Sequence, residues 1–457
     1  MNARHYMAGL TTASLLFSGL ISTARATDEP DPYYNRVEAI LAATPLIDGH
    51  NDIPFRYKLR VNNQLSELDF GSDLTQLEEP TDTDLPRLRA GMVGAQFWSV
   101  YIPINTHGGA AGDASRVLGQ IDLVKRLVKR YPDDLAMAYS AKDIVEAHQQ
   151  KKIGSLIGIE GGHAIEDSLA TLRMMYDVGA RYMTLTHGKG LRWADSATDE
   201  PRLGGLSPFG KEVVKEMNRL GMLVDLSHVS PGSMHDALDV SEAPVIFSHS
   251  NAFAITANPR NVPDDVLIRL KKNNGIIMIT FFPAYVSVAA SESFLAGKAA
   301  IKKIKESSKT PEEAQDRINS YIAANPAVRP TLSQAADHID HVRNLIGIDH
   351  IGIGADYDGM PPGPIGLEDV STYPALFAEL LRRGYSDEDV AKIAGKNILR
   401  VMADAETVAR QLGIRCETCN IDPIVQAFKA TNPEAFQRDY HRGNLISRIR
   451  ANVLSTK

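Results

Sequence analysis

The chain has 457 residues, 44% of them hydrophobic and 23% charged, with a formal charge of −7. That length exceeds the usual size of one domain but is ordinary for an α/β barrel with insertions, and the composition is that of a globular protein with a large core. The acidic balance excludes a general attraction to nucleic acid or to an anionic membrane surface.

The first 26 residues differ from the rest. Arg4 and His5 precede an apolar run from Met7 to Ile21, and Thr-Ala-Arg-Ala follows at 23–26. A basic start, a short apolar stretch and small residues three apart describe a secretory signal peptide cut after Ala26. The run is short and broken by Gly, Thr and Ser, which disfavours a membrane anchor, and no Cys follows it to carry a lipid. A soluble exported protein, secreted or periplasmic, is expected.

From Leu46 onward, short apolar runs alternate with helical patterns. The runs are Leu46-Ile47, Gly94 to Tyr101, Ile153 to Ile159, Tyr182 to Leu185, Met222 to Leu226, Pro244 to Phe247, Gly275 to Phe281 and His350 to Gly354. Their apolar, β-branched character suits strands buried on both faces of a parallel sheet. Leu169, Leu172 and Tyr176 mark a helix after the third run. Ser207-Pro208 supplies an N-cap and a proline for the first helical position; Val213, Met217 and Leu220 then share a face, and Gly221 ends the helix. Ser230-Pro231 starts another helix directly after the fifth run.

Residues 287–330, rich in Ala, Lys, Ser and Glu, predict a helical insertion between the seventh and eighth strands, with its Lys-Lys-Ile-Lys-Glu stretch a solvated face. After about residue 405 no strand pattern remains. The predicted class is therefore α/β: a (β/α)8 TIM-like barrel over 27–405, with a C-terminal extension, 406–457, packed on it. Cys416 and Cys419 are the only cysteines. A structural zinc site would need a second pair, so a local disulfide is expected of an exported chain.

The ends of the runs carry the chemistry. The first ends at His50 and Asp52, the third at Glu160 and His163, the fourth at His187, the fifth at His228, the sixth at His249 and the eighth at Asp356 and Asp358. In a barrel these positions share the C-terminal rim, where active sites are built. Imidazole and carboxylate together suit zinc and its first-row neighbours, whereas magnesium and calcium prefer oxygen alone. One catalytic zinc needs about three protein ligands. The candidates here are enough for two ions, with Glu160 the natural bridge between them. Gly352-Ile353-Gly354-Ala355 only faintly echoes a dinucleotide loop, lacks the third glycine and puts Asp356 where phosphates would lie.

Seven segments together resemble the membrane (renal-type) dipeptidase family of zinc peptidases, family M19. They are LIDGHNDIPF at 46–55, GIEGGHAIEDSLATLRMMYDVGARYMTLTH at 158–187, WAD at 193–195, DLSHVS at 225–230, FSHSN at 247–251, RNVPDD at 260–265 and GIGADYDG at 352–359. The resemblance implies a (β/α)8 barrel and two zinc ions per chain. His50 and Asp52 would bind one ion, His228 and His249 the other, and Glu160 would bridge them. It further implies hydrolysis by a hydroxide shared between the ions, with Asp356 moving protons at the scissile amide. His187 would steady the oxyanion, Arg260 would hold the substrate's terminal carboxylate, and Tyr285 would join the substrate site. Asp48 and Asp358 are read as supporting or turn residues rather than ligands.

The implied activity is that of a metallo-dipeptidase acting on free dipeptides, often with a D-residue at the C-terminal position, and able to open some β-lactams. Homodimers are common in the family. Gly-Lys-Gly at 188–190 replaces a cysteine of mammalian members, and the C-terminus lacks a lipid-anchor signal, so a soluble secreted form is expected. One alternative is an amidohydrolase acting on cyclic amides or esters. Those enzymes usually carry His-x-His after the first strand, where this chain has His-x-Asp. The other alternative is a metal-binding protein without turnover.

Overall fold

The computed structural model describes residues 31–104 and 108–418, with side chains as far as residue 413. The signal-peptide reading of residues 1–26 and the disulfide expected at Cys416 and Cys419 fall outside what is described. Nine parallel strands run in chain order: β1 (Leu46–Asn51), β2 (Val93–Tyr101), β3 (Leu135–Met137), β4 (Ile153–Glu160) and β5 (Ala180–Thr184), then β6 (Leu223–Asp225), β7 (Ile246–Ser250), β8 (Ile276–Ile279) and β9 (Ile351–Ile353). The sheet order is β2-β1-β9-β8-β7-β6-β5-β4, and β2 pairs with β4, closing eight strands into a barrel.

The ninth strand, β3, is one the sequence pattern does not reveal. It pairs with Ile153–Ser155 of β4, below Ile157 where β5 begins to pair. Three residues, Leu-Ala-Met, partly exposed and without a β-branched side chain, leave no periodic signal to read.

Alternation along the strands separates two layers of core. Ile47, Ala95, Phe97, Leu156, Tyr182, Leu223, Ile246, Ile276 and Met278 form one cluster, and their neighbours Leu46, Trp98, Val100, Ile157, Met183, Val224, Phe247 and Ile277 form the other. Ile398, Val401, Met402 and Ala405 join the first cluster. They lie on the helix Asn397–Thr418, which contacts β8 and β9 and runs through residue 405 without a break.

The helix signals hold. Ser207 caps Pro208–Leu220 by accepting the Gly210 N–H, and Gly221 ends it at a φ of 80°, a conformation glycine adopts without strain. Ser230 caps Pro231–Val240 in the same way. The helix Leu169–Asp177 buries Leu172 and Met175 fully, and Leu169 and Tyr176 pack partly buried against the same core. The insertion contains two helices, Val288–Ser307 and Pro311–Ala324. No described helix is long and apolar enough to cross a membrane.

Candidate metal centre

His50, Asp52, Glu160, His187, His228, His249 and Asp356 converge on one buried cluster, and Glu160 lies in the middle of it. Its Oε1 is 3.0 Å from the Nε2 of His228, 3.5 Å from that of His249, and 3.6 Å from those of His50 and His187. His50 Nε2 is also 3.3 Å from Asp52 Oδ2 and 4.0 Å from Asp356 Oδ1. Three overlapping triads have ligand atoms within 4.8 Å of one another: His50, Glu160 and His249; Glu160, His187 and His228; and His50, Asp52 and Asp356. His163, at the same strand end as Glu160, stays apart and binds the Ile102 carbonyl.

The surroundings aim these side chains. Tyr182 Oη donates to the Gly49 carbonyl and lies 2.9 Å from His50 Nδ1, so Nε2 is left to face the cluster. Asp225 sits fully buried at the end of β6 and accepts from the Ser248 hydroxyl at 2.6 Å and from the N–H groups of Ser227 and Ser248. Ser248 Oγ in turn lies 2.8 Å from His249 Nδ1, so a buried carboxylate sets the orientation of His249 through one hydroxyl. Asp48 accepts from Ala355 N–H, Gln96 and Tyr373, tying β1 to the start of the Asp356 loop. His228 and Asp356 both have left-handed backbone, φ 65° and 73°, a conformation costing on the order of 1 kcal/mol for a side-chain-bearing residue.

Gly158 is what lets Tyr182 do this. A Cβ at position 158 would stand 2.0 Å from the Tyr182 ring carbon that carries the hydroxyl. Gly158→Ala is therefore expected to displace the phenol from His50 and to weaken metal retention by about 10–100-fold. Metal content after dialysis against graded chelator checks this. Wild-type retention in a folded Gly158→Ala protein would show that the Tyr182 contact is dispensable.

The electrostatics fit a bound cation. Burial pushes His50 down, but Glu160, Asp52 and Asp356 outweigh it and hold the imidazole up at about 10. Burial pushes His187 down to about 3 and sends His228 and His249 well below the usual histidine range, with Arg260 adding to all three effects. Glu160 is raised to about 7 by burial, against the attraction of His50. The Nε2 atoms of His228 and His249 face one another at 2.9 Å, and His50 Nε2 and Asp52 Oδ1 have no hydrogen-bond partner among the described residues. Buried imidazole nitrogens and carboxylate oxygens turned toward one another form a donor set that fits metal ions in the cluster.

Above the cluster lies a cavity of about 300 Å³, lined by Asp52, Glu160, His187, His228 and Asp356 with Arg260 and Tyr285. Arg260 is 2% exposed, its Nη2 donates to the His249 carbonyl at 3.4 Å, and its Nε and Nη1 have no hydrogen-bond partner among the described residues. Its guanidinium lies 5.2 Å from the Tyr285 ring centre. Sequence reasoning missed Phe55, Arg56, Tyr101 and Phe282 on the cavity wall. Tyr101 could have been found, since it ends the second strand run at the rim. Arg56 and Phe282 carry no spacing signal.

The family model described as membrane dipeptidase (peptidase family M19) matches residues 34–415. The chain belongs to this family. As an M19 peptidase it is a hydrolase of peptide bonds, from a metal-dependent family, and its candidate ligands are the cluster described above. A model of NAD synthase matches only residues 397–456, a stretch that mostly lies outside the described residues, and supports no functional statement.

Solved structures share the fold. The probable dipeptidase PvdM from Pseudomonas aeruginosa is 24% identical, with a TM-score of 0.71, covering 83% of this chain and 100% of that one. A dipeptidase AC of family M19 is 21% identical, with a TM-score of 0.65 and coverage of 79% and 98%. A metallo peptidase from Rhodobacter sphaeroides, liganded with a phosphinate mimic of the dipeptide L-Ala-D-Ala, is 21% identical, with a TM-score of 0.64 and coverage of 79% and 99%.

Proposed function

We propose that this M19 peptidase is an exported dinuclear zinc dipeptidase that cleaves free dipeptides and tolerates a D-residue at the C-terminal position. The observation that carries the reading is one carboxylate oxygen within 3.6 Å of four imidazole nitrogens, beneath a small cavity lined by a buried arginine with open donors. His50 and Asp52 would hold one zinc, His228 and His249 the other, with Glu160 common to both. Two bound zinc ions would supply an acidified water and positive charge for the carbonyl oxygen.

The remaining steps fall to the chain's own groups. Asp356 takes the proton of the attacking water and passes it to the leaving nitrogen. Burial, reinforced by Asp52 and Glu160, raises its pKa well above the usual carboxyl range, as suits a group that must hold a proton between two steps. His187, neutral because burial pushes it down to about 3, can donate an N–H to the oxyanion. Arg260 offers a planar fork for the terminal carboxylate, and the Tyr285 phenol, raised to about 12 by burial, keeps its proton beside it. The phosphinate complex of the Rhodobacter relative motivates the D-residue part of the proposal.

The test is cleavage of dipeptide pairs differing only in an L- or D-residue at the C-terminal position, with N-acylated and carboxamide controls and a chelator. Chelator-sensitive cleavage of free dipeptides alone is expected. No turnover with two zincs bound per chain would move the assignment to the cyclic-amide or non-catalytic alternative. Arg260→Met is expected to raise KM by about 100-fold or more, since a desolvated carboxylate would lose its charged partner. An unchanged KM would remove Arg260 from substrate binding.

A further inference from the structure

The cavity above the cluster is lined by two guanidiniums, and the proposed reaction uses only one. Arg260 follows β7 and accounts for the terminal carboxylate. Arg56 lies on the helix Ile53–Val61 that follows β1, three strands away around the barrel. Its side chain is 32% exposed and lines the cavity beside Phe55, Leu59 and Tyr101. Its nearest counter-charge is Asp358 Oδ1, 3.9 Å from Nε and beyond hydrogen-bond range. Among the described residues its guanidinium makes no hydrogen bond, whereas Arg87 and Arg383 each bind two or more carboxylates.

Asp358 does not need Arg56 as a hydrogen-bond partner. Its Oδ1 accepts the Asp82 N–H at 3.0 Å, and Asp82 Oδ2 accepts the Asp358 N–H at 2.9 Å. This reciprocal pair leaves the arginine fork open toward the cavity. A dipeptide has one terminal carboxylate, so a second open guanidinium matches a second anionic group on the substrate.

We propose that Arg56 selects dipeptides with an acidic side chain on the N-terminal residue, an inference that rests on the dipeptidase reading above. With the terminal carboxylate held at the β7–β8 side by Arg260 and Tyr285, and the scissile amide over the cluster, the amino-side residue extends toward the β1–β2 rim. There Phe55 and Tyr101, with ring centres 4.9 Å apart, form a wall and Arg56 supplies the charge. Glutamate and aspartate present a carboxylate to that fork; glutamine and asparagine have the same shape without the charge.

The experiment compares kcat/KM of the zinc-loaded protein on Glu-Ala against Gln-Ala, Asp-Ala against Asn-Ala, and Ala-Glu against Ala-Gln, with Lys-Ala added. The expected result is a preference of about tenfold or more for Glu-Ala over Gln-Ala that shrinks as salt rises. Arg56→Ala and Arg56→Gln bring the ratio to about one, and Arg56→Glu moves the preference to Lys-Ala. A ratio near one in the wild-type protein overturns the inference without any variant, provided both substrates are cleaved. So does a ratio that survives in a folded Arg56→Ala protein, or an Arg56-dependent preference seen only for Ala-Glu. Failure to cleave any dipeptide would instead overturn the reading on which the inference rests.

Discussion

Glu160→Gln is expected to strip the site of its metal and to lower kcat by roughly 10³-fold or more, on the order of 4 kcal/mol of transition-state stabilisation. The substitution keeps the shape and removes the charge. Four imidazole nitrogens lie within 3.6 Å of one Glu160 oxygen, and the other oxygen is 3.4 Å from the Ser99 hydroxyl. A neutral amide cannot neutralise two divalent ions, and its N–H₂ would point donors at nitrogens that must remain lone pairs to bind them. Metal content by elemental analysis and turnover of a free dipeptide check this together. Two retained metals with activity within tenfold of wild type would contradict a bridging role for Glu160.

Asp356→Asn separates proton transfer from metal binding. A kcat loss of roughly 10²–10⁴-fold is expected, with metal content and KM close to wild type. The backbone of residue 356 is fixed independently of its carboxylate: its N–H donates to the His50 carbonyl, and the Ala355 N–H is held by Asp48. Asparagine also accepts left-handed backbone better than most residues, so the φ of 73° does not penalise the exchange. The pH profile supplies a second readout. A base must be ionised to take a proton, so wild-type activity should rise with pH through the pKa of Asp356. Burial, with Asp52 and Glu160 adding to it, raises that carboxyl, and divalent ions bound beside it would draw it back down, so the limb also moves with metal content. Loss of the limb in the variant is expected. An unchanged profile would assign it to another group.

The legible part of this protein was periodic or local. Buried β-branched runs marked the eight barrel strands, Ser-Pro pairs marked helix starts, and His50, Glu160, His187, His228, His249 and Asp356 stood out because each ends a run. Those signals survive without a fold because a strand or cap is specified by residues close together in the chain. The short strand Leu135–Met137 was not legible, because one buried residue followed by two half-buried ones shows no period.

The residue pattern alone was enough for a parallel α/β barrel and for the histidines and carboxylates gathered at its rim, though not for Phe55, Arg56, Tyr101 or Phe282 on the cavity wall. How those side chains are aimed, and what shares the cavity with them, follows from the closed barrel. The Tyr182 hydroxyl against His50, 132 residues away in sequence, and Asp225 acting on His249 through Ser248 depend on closure of the barrel. The convergence of Arg56 and Arg260 on one cavity depends on it as well. Contacts across a closed sheet join residues whose spacing along the chain is arbitrary, so distance and orientation there are properties of the fold and leave no pattern in the sequence.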